Sequence, residues 1–222
     1  TPAPVLGTDG KVHLAYELLL TNAVSLPYAV DSLDIADPET GDTLLTIGPD
    51  DIQSSITRLG DDAEGTDETG PITIAWIDVA VDPDAVPSRL QHTANGAIQR
   101  PDGQTIPVDA VINTTTISDA EAQVVSSPVA AGDWLMSEGC CSNYTHHRNG
   151  FAPVNGQGLV PQRFAVDFYK VDADGVTWEG DPSKPESYFS YRQPIVSATS
   201  GTVVRAVDEF ENSTSLPEPP PI

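Results

Sequence analysis

The sequence predicts an all-β protein, with an acidic immunoglobulin-like β-sandwich over residues 1–131 and a smaller β domain over residues 132–222. Short apolar segments with alternating or β-branched residues recur along the chain, and turn-forming Pro, Gly, Asn and Asp residues separate them. No long segment has the 3.6-residue period of an amphipathic helix. The length of 222 residues fits one large or two small domains.

The first strands follow from period-two patterns. Residues 12–20 place apolar side chains at the even positions, which is typical of a half-buried strand. Residues 28–36 and 43–47 flank the turn Thr40-Gly41-Asp42, and this order predicts a hairpin.

The most β-branched stretch is residues 72–81, and Trp76 within it is expected to pack between two sheets. His13 and His92 each stand alone on a predicted strand, where packing or solvent exposure is expected rather than ligation. Several short strands at this spacing indicate an antiparallel sandwich of immunoglobulin type. Further strands are predicted at residues 88–93, 105–116 and 122–129.

The charge is strongly acidic, because 33 Asp and Glu residues face 10 Lys and Arg residues, for a net charge of −23. Such a field repels nucleic acid and attracts cations, so we expect no nucleic-acid partner and consider calcium on the acidic surface. Residues 60–70 are almost wholly acidic or small and predict an exposed loop. Their carboxylates lack the spacing of an EF-hand loop.

The chain begins Thr1-Pro2-Ala3-Pro4 without an initiator Met, which we interpret as the mature form of an exported protein after removal of a signal peptide. The expected location is therefore secreted or at the cell surface. No apolar run approaches the roughly 18–20 residues that cross a bilayer, so no membrane span is predicted.

Two features of the second domain carry chemistry. The first is a loop rich in Gly, Asn and Ser over residues 137–158, which contains Cys140-Cys141 and His146-His147-Arg148. Adjacent cysteines form a strained vicinal disulfide, stay as two thiols, or bond other chains. The second is a predicted strand over residues 163–171 that carries Asp167. Two more strands are predicted within residues 194–207, before a polyproline-like tail at residues 216–222.

These segments resemble the first half of a lysostaphin-type zinc metallopeptidase domain, in a bacterial branch where that domain follows an immunoglobulin-like one. The matching segments are His146-His147-Arg148, Gln162-Arg163-Phe164-Ala165-Val166-Asp167, Val171-Asp172-Ala173-Asp174-Gly175, Tyr191-Arg192-Gln193-Pro194-Ile195-Val196-Ser197-Ala198 and Ser200-Gly201-Thr202-Val203-Val204. The match covers roughly 70 residues and leaves the first domain uncharacterised.

The resemblance implies hydrolysis of peptidoglycan peptides by a zinc-bound water, with three protein ligands and one open position. Asp167 matches the family's aspartate ligand. Arg163 stands where the family has a histidine, and a guanidinium does not ligate zinc. The later His-x-His motif is absent, since no histidine follows His147. His146 or His147 is then the alternative ligand beside Asp167, but two ligands do not make a catalytic zinc site.

Two hypotheses follow. In the first, another piece completes the domain, and the protein is a zinc metalloendopeptidase that acts on cell-wall peptides. In the second, the protein is a non-catalytic all-β surface, assembly or binding protein, and another chain covers the strand edges at residues 194–207. An ion pair of Asp167 with Arg163 or Arg148 accounts for that carboxylate without a metal. A Cys140/His147 nucleophile pair is a further alternative.

Overall fold

The computed structural model describes residues 1–22, 26–59, 72–139 and 145–211. Within them, regular secondary structure is almost entirely β, with a single α-helix. This confirms the predicted all-β class. The chain forms two compact units, Thr1–Ala122 and Gln123–Ile222. No helix in the described part of the chain is long and apolar enough to span a membrane.

The first unit is a sandwich of two four-stranded antiparallel sheets. One sheet has the strand order β1-β2-β6-β5 and the other β4-β3-β7-β8. In an immunoglobulin domain the corresponding sheet joins the first, second, fifth and fourth strands, whereas here it joins the first, second, sixth and fifth. The predicted sandwich of antiparallel sheets is present, with buried side chains of both sheets in one core. Its strands are β1 (Val5–Leu6), β2 (Val12–Thr21), β3 (Tyr28–Ala36), β4 (Thr43–Ile47), β5 (Ile56–Leu59), β6 (Ile72–Val81), β7 (Arg89–Gln99) and β8 (Thr105–Thr116).

Side-chain alternation along the central strands builds the core between the sheets. Strand β2 contributes its even positions, as predicted, and β6 contributes its odd positions from residue 75 to residue 81. Trp76 therefore lies on the opposite face of β6, where its indole N–H donates to the hydroxyl of Thr57 at 2.9 Å. The expectation that Trp76 packs between the sheets is wrong, because adjacent residues in a strand point to opposite faces.

Two further strand predictions differ from the structure. The strand predicted at residues 88–93 begins at Arg89 and continues to Gln99 as β7, whereas residues 122–129 form no strand. Val124 is 93% exposed. The segment contacts residues 195–198 through an isolated bridge between Val129 and Ile195, and through hydrogen bonds from the N–H of Ser126 to the carbonyl of Ala198 and from the N–H of Val196 to the carbonyl of Pro128. These few contacts do not continue as a ladder, so the β-branched side chains gain little from an extended backbone.

The second unit consists of short elements. Strand β9 pairs with β12, and β10 pairs with β11, both antiparallel. The predicted strand over residues 163–171 is reduced to β12, since a turn occupies residues 161–164. The elements are β9 (Trp134–Ser137), α1 (His146–Asn149), β10 (Ala152–Val154), β11 (Gln157–Leu159) and β12 (Asp167–Lys170).

The two strands predicted within residues 194–207 are absent, and this prediction is wrong for the structure described. Apart from the bridge at Ile195, residues 194–211 contain no helix or strand. Val203 and Val204 are 82% and 94% exposed. Their β-branched side chains favour strands, but no neighbouring strand pairs with them here.

Candidate metal site

Helix α1 is a single turn that presents two adjacent histidines. Thr145 caps its first turn, with its hydroxyl oxygen accepting the backbone N–H of Arg148. The turn ends at Gly150, where a Cβ atom would lie 2.7 Å from the carbonyl oxygen of His146. This close approach of the backbone at the end of α1 therefore requires glycine at position 150. It holds the helical turn that carries His146 and His147.

His147 is the buried member of the pair, with 3% of its side chain exposed. Its Nδ1 atom lies 3.2 Å from the carbonyl oxygen of Glu138 and 3.3 Å from that of Ala165. A carbonyl only accepts hydrogen bonds, so Nδ1 must carry the proton. In the neutral ring the lone pair is then on Nε2, which lies 3.4 Å from Oδ1 of Asp167.

Asp167 is the first residue of β12 and pairs across the sheet with Ser137 of β9. Its other carboxylate oxygen is 3.5 Å from the hydroxyl of Tyr169, at the outer limit of a hydrogen bond. Partial burial, followed by the charge of Asp167, raises the pKa of the Tyr169 hydroxyl. Tyr169 thus stays protonated at neutral pH beside the carboxylate.

Glu138 contacts both histidines from the end of β9. One carboxylate oxygen accepts the backbone N–H of His146 at 3.1 Å and lies 3.0 Å from Nδ1 of the same residue. Its carbonyl oxygen faces Nδ1 of His147. Glu138 adopts φ = 57°, a left-handed conformation that is uncommon for residues other than glycine. No local sequence pattern points to Glu138, which lies eight residues before His146.

The structure brings together three of the predicted candidates. Ligand atoms of His146, His147 and Asp167 all lie within 4.8 Å of one another, and among the described residues they are the one group of three or more His, Cys, Asp or Glu side chains so arranged. The three side chains are exposed to different extents, which are 67% for His146, 36% for Asp167 and 3% for His147. The group therefore opens to solvent on the side of His146.

The remaining predicted residues lie around this group or outside the described chain. Arg148 is buried on helix α1. Arg163 lies in the turn before β12, with its guanidinium carbon 5.8 Å from the centre of the Phe164 ring. Cys140 and Cys141 fall outside the described residues, as does the acidic stretch 60–70 considered for calcium.

Comparisons with known proteins leave the chain without an assigned family. No family model, curated protein or solved structure matches it.

Proposed function

We propose that His147 and Asp167, with His146 at the exposed side, bind a zinc ion, and that the protein is an exported cell-envelope protein of lysostaphin type. The single observation that carries the proposal is the distance of 3.4 Å between Nε2 of His147 and Oδ1 of Asp167. Zinc bonds to imidazole nitrogen and carboxylate oxygen are about 2.0–2.2 Å long, and a tetrahedral angle then separates the two ligand atoms by about 3.4 Å.

A direct ion pair fits this distance less well. Hydrogen bonds between charged nitrogen and oxygen groups are about 2.7–2.9 Å long. The first unit provides such a pair in the same protein, since Nδ1 of His13 lies 2.9 Å from Asp78. The wider separation at His147, with the lone pair of Nε2 facing a carboxylate, leaves room for a cation between the two atoms.

The donor set fits zinc by its chemistry. Two imidazoles and one carboxylate are the ligand types of catalytic zinc sites, which keep a fourth position for water or substrate. Calcium and magnesium favour sites built of oxygen ligands. The ring of His146 is the most exposed of the three, and its rotation about the side-chain bonds is the movement that closes the remaining distance to the ion.

A zinc ion bound here supplies a Lewis acid and a water of lowered pKa, which is the chemistry of peptide hydrolysis in the family that the sequence resembles. Three side chains of the protein have separate roles at the proposed site. His147 holds one coordination position from a buried ring, Asp167 holds a second from the start of β12, and Tyr169 keeps a protonated hydroxyl beside that carboxylate. Peptides of the cell wall are the proposed substrates.

The proposed zinc site is tested by titrating Zn²⁺ into the metal-free 222-residue chain in a calorimeter. We expect saturable binding of about one ion per chain. His147→Ala and Asp167→Asn should each weaken the affinity at least tenfold, because each removes a ligand. His13→Gln is the matched control, since it removes a histidine from another carboxylate pair. Wild type that fails to bind, or ligand variants that bind like wild type, would overturn the zinc site.

The hydrolytic part of the proposal has its own test. The zinc-loaded chain is incubated with peptidoglycan peptides, and new amino termini are counted. Release that needs zinc and disappears in Asp167→Asn supports the peptidase. Zinc binding without cleavage contradicts the peptidase while keeping the metal site.

A second candidate function is assembly with another protein chain. The observation that favours it is the exposure of large apolar side chains after residue 194, among them Val204 at 94% and Phe210 at 81%. Contiguous exposed apolar surface marks interaction sites, and these side chains lie close together in the sequence. Light scattering of the purified chain tests the case in which the partner is a second copy of this chain, because a strictly monomeric protein at high concentration would contradict self-assembly.

A further inference from the structure

We infer that Glu138 is a positioning residue that decides which ring nitrogen each histidine offers to the ion. This inference rests on the proposed zinc site. Glu138 uses two different groups for the task. Its carboxylate lies 3.0 Å from Nδ1 of His146, and its backbone carbonyl lies 3.2 Å from Nδ1 of His147.

Both contacts dictate the same tautomer. A carboxylate and a carbonyl oxygen accept hydrogen bonds and donate none, so Nδ1 carries the proton in both rings. The neutral rings then hold their lone pairs on Nε2. Metal-bound histidines characteristically donate their other N–H to a carboxylate or a backbone carbonyl, which fixes the ring and strengthens the ligand. Here Glu138 provides both kinds of acceptor, and the backbone carbonyl of Ala165, 3.3 Å from Nδ1 of His147, is a second acceptor for that ring.

The arrangement requires an uncommon backbone conformation at Glu138. Its φ of 57° lies in the left-handed region, which residues with a side chain adopt only when their surroundings hold them there. In this conformation the same residue directs its carbonyl to His147 and its carboxylate to His146. The carboxylate also accepts the backbone N–H of His146 at 3.1 Å, which ties the start of helix α1 to the end of β9.

Two variants separate the contributions of the two acceptors. Glu138→Gly keeps the carbonyl and tolerates the left-handed backbone, but it lacks the carboxylate. Glu138→Gln keeps an oxygen acceptor and loses the charge. Glu186→Gln is the matched control, because it removes one charge from an exposed residue of the same unit. We expect zinc affinity to fall about tenfold or more in Glu138→Gly, less in Glu138→Gln, and not in the control.

Nitrogen NMR of the histidine rings gives a second readout that needs no metal. In the wild-type chain at neutral pH, His146 and His147 should both show the Nδ1–H tautomer. In Glu138→Gly, His146 should shift to a mixture of tautomers, whereas His147 should keep Nδ1–H through the carbonyl. A general loss of folding would change both rings together.

The outcomes separate the two claims. A wild-type chain that binds no zinc overturns the proposed metal site, and the ring tautomers then decide the positioning role alone. Zinc binding by wild type with equal affinity in Glu138→Gly overturns the role of Glu138 and keeps the metal site. An Nε2–H tautomer at either histidine of the wild type also overturns the inference.

Discussion

The hydroxyl of Tyr16 lies 2.7 Å from Nε2 of His92 and joins the two sheets of the first unit. Tyr16 belongs to β2 and His92 to β7, and both residues are buried. The rings meet edge to face, with 5.6 Å between their centres. This pair places a titratable group inside the apolar core, and it has a measurable consequence for stability.

Acid should destabilise the first unit through His92. Burial lowers the pKa of His92 below 6.5. Nδ1 of this ring makes no hydrogen bond within the described residues. The backbone of Asn113 raises the pKa of His92 by less than burial lowers it. As the pH falls below 6.5, His92 therefore binds a proton more readily in the unfolded chain than in the folded chain. The free energy of unfolding decreases as a result. Urea unfolding between pH 7.5 and about 5 measures this loss.

The control for this prediction is His92→Gln, which removes the titrating ring. The variant should be less stable at pH 7.5 and should lose less stability on acidification than wild type. Equal acid dependence in the two proteins would contradict the assignment to His92.

The contribution of His13 to the free energy of unfolding should depend on pH in the opposite direction to that of His92. Its hydrogen bond to Asp78, followed by that to Asp9, raises the pKa of His13 above 6.5. A raised pKa means that the folded chain binds the proton more tightly, so this stabilisation is present below pH 6.5 and disappears as the pH rises through the raised value. We expect a contribution on the order of 1 kcal/mol, because the ring and its partners are partly exposed.

His13→Gln isolates this contribution when its unfolding free energy is compared with that of wild type from pH 5.5 to pH 9. The difference should be largest at pH 5.5 and shrink above neutrality. A difference that grows with pH would contradict the expected sign.

The stability lost when a side chain of β2 is truncated should depend on whether that side chain faces the core. Leu14 is fully buried between the sheets, whereas Leu19 is 45% exposed. Leu14→Ala should lower the free energy of unfolding by about 2–5 kcal/mol, through lost apolar burial and the cavity that remains. Leu19→Ala makes the same chemical change on the same strand and should cost clearly less. Equal losses in urea unfolding would contradict the assignment of the core face.

Gly150→Ala should lower the affinity of the proposed site for zinc, although residue 150 is not one of the proposed ligands. The added Cβ of Gly150→Ala would lie 2.7 Å from the carbonyl oxygen of His146, so the end of helix α1 must shift. We expect at least a tenfold weaker zinc affinity, because the histidines no longer meet Asp167 in the same geometry. Gly201→Ala is the control, since nothing lies within 4 Å of a Cβ there. Unchanged affinity in Gly150→Ala would contradict the role of this close approach.

The strands of the first unit are predictable because period-two alternation is local. The bounds of β3 and β6 agree with the sequence prediction residue by residue, since turn-forming segments delimit β3 and β-branched residues fill β6. The same reasoning fails for residues 194–207. A strand requires a neighbouring backbone, and whether one is present is a property of the fold rather than of the segment.

The candidate ligands of the proposed metal site could be named from the sequence, but the residue that contacts both histidines could not. Asp167, His146 and His147 have chemically suitable side chains, and the resemblance directs attention to them. The role of Glu138 depends on a left-handed backbone and on contacts across a loop, and neither has a local sequence pattern. The position of Arg163 beside Phe164 likewise depends on the turn before β12.

The most direct test of the account is anomalous diffraction at the zinc edge from crystals of the zinc-soaked chain. We predict a peak bonded to Nε2 of His147 and to a carboxylate oxygen of Asp167, at about 2.0–2.2 Å from each. His146 should turn toward the same peak while Glu138 keeps its contact with Nδ1. A map without a peak there, in which His147 and Asp167 close to an ordinary hydrogen bond, would contradict the account.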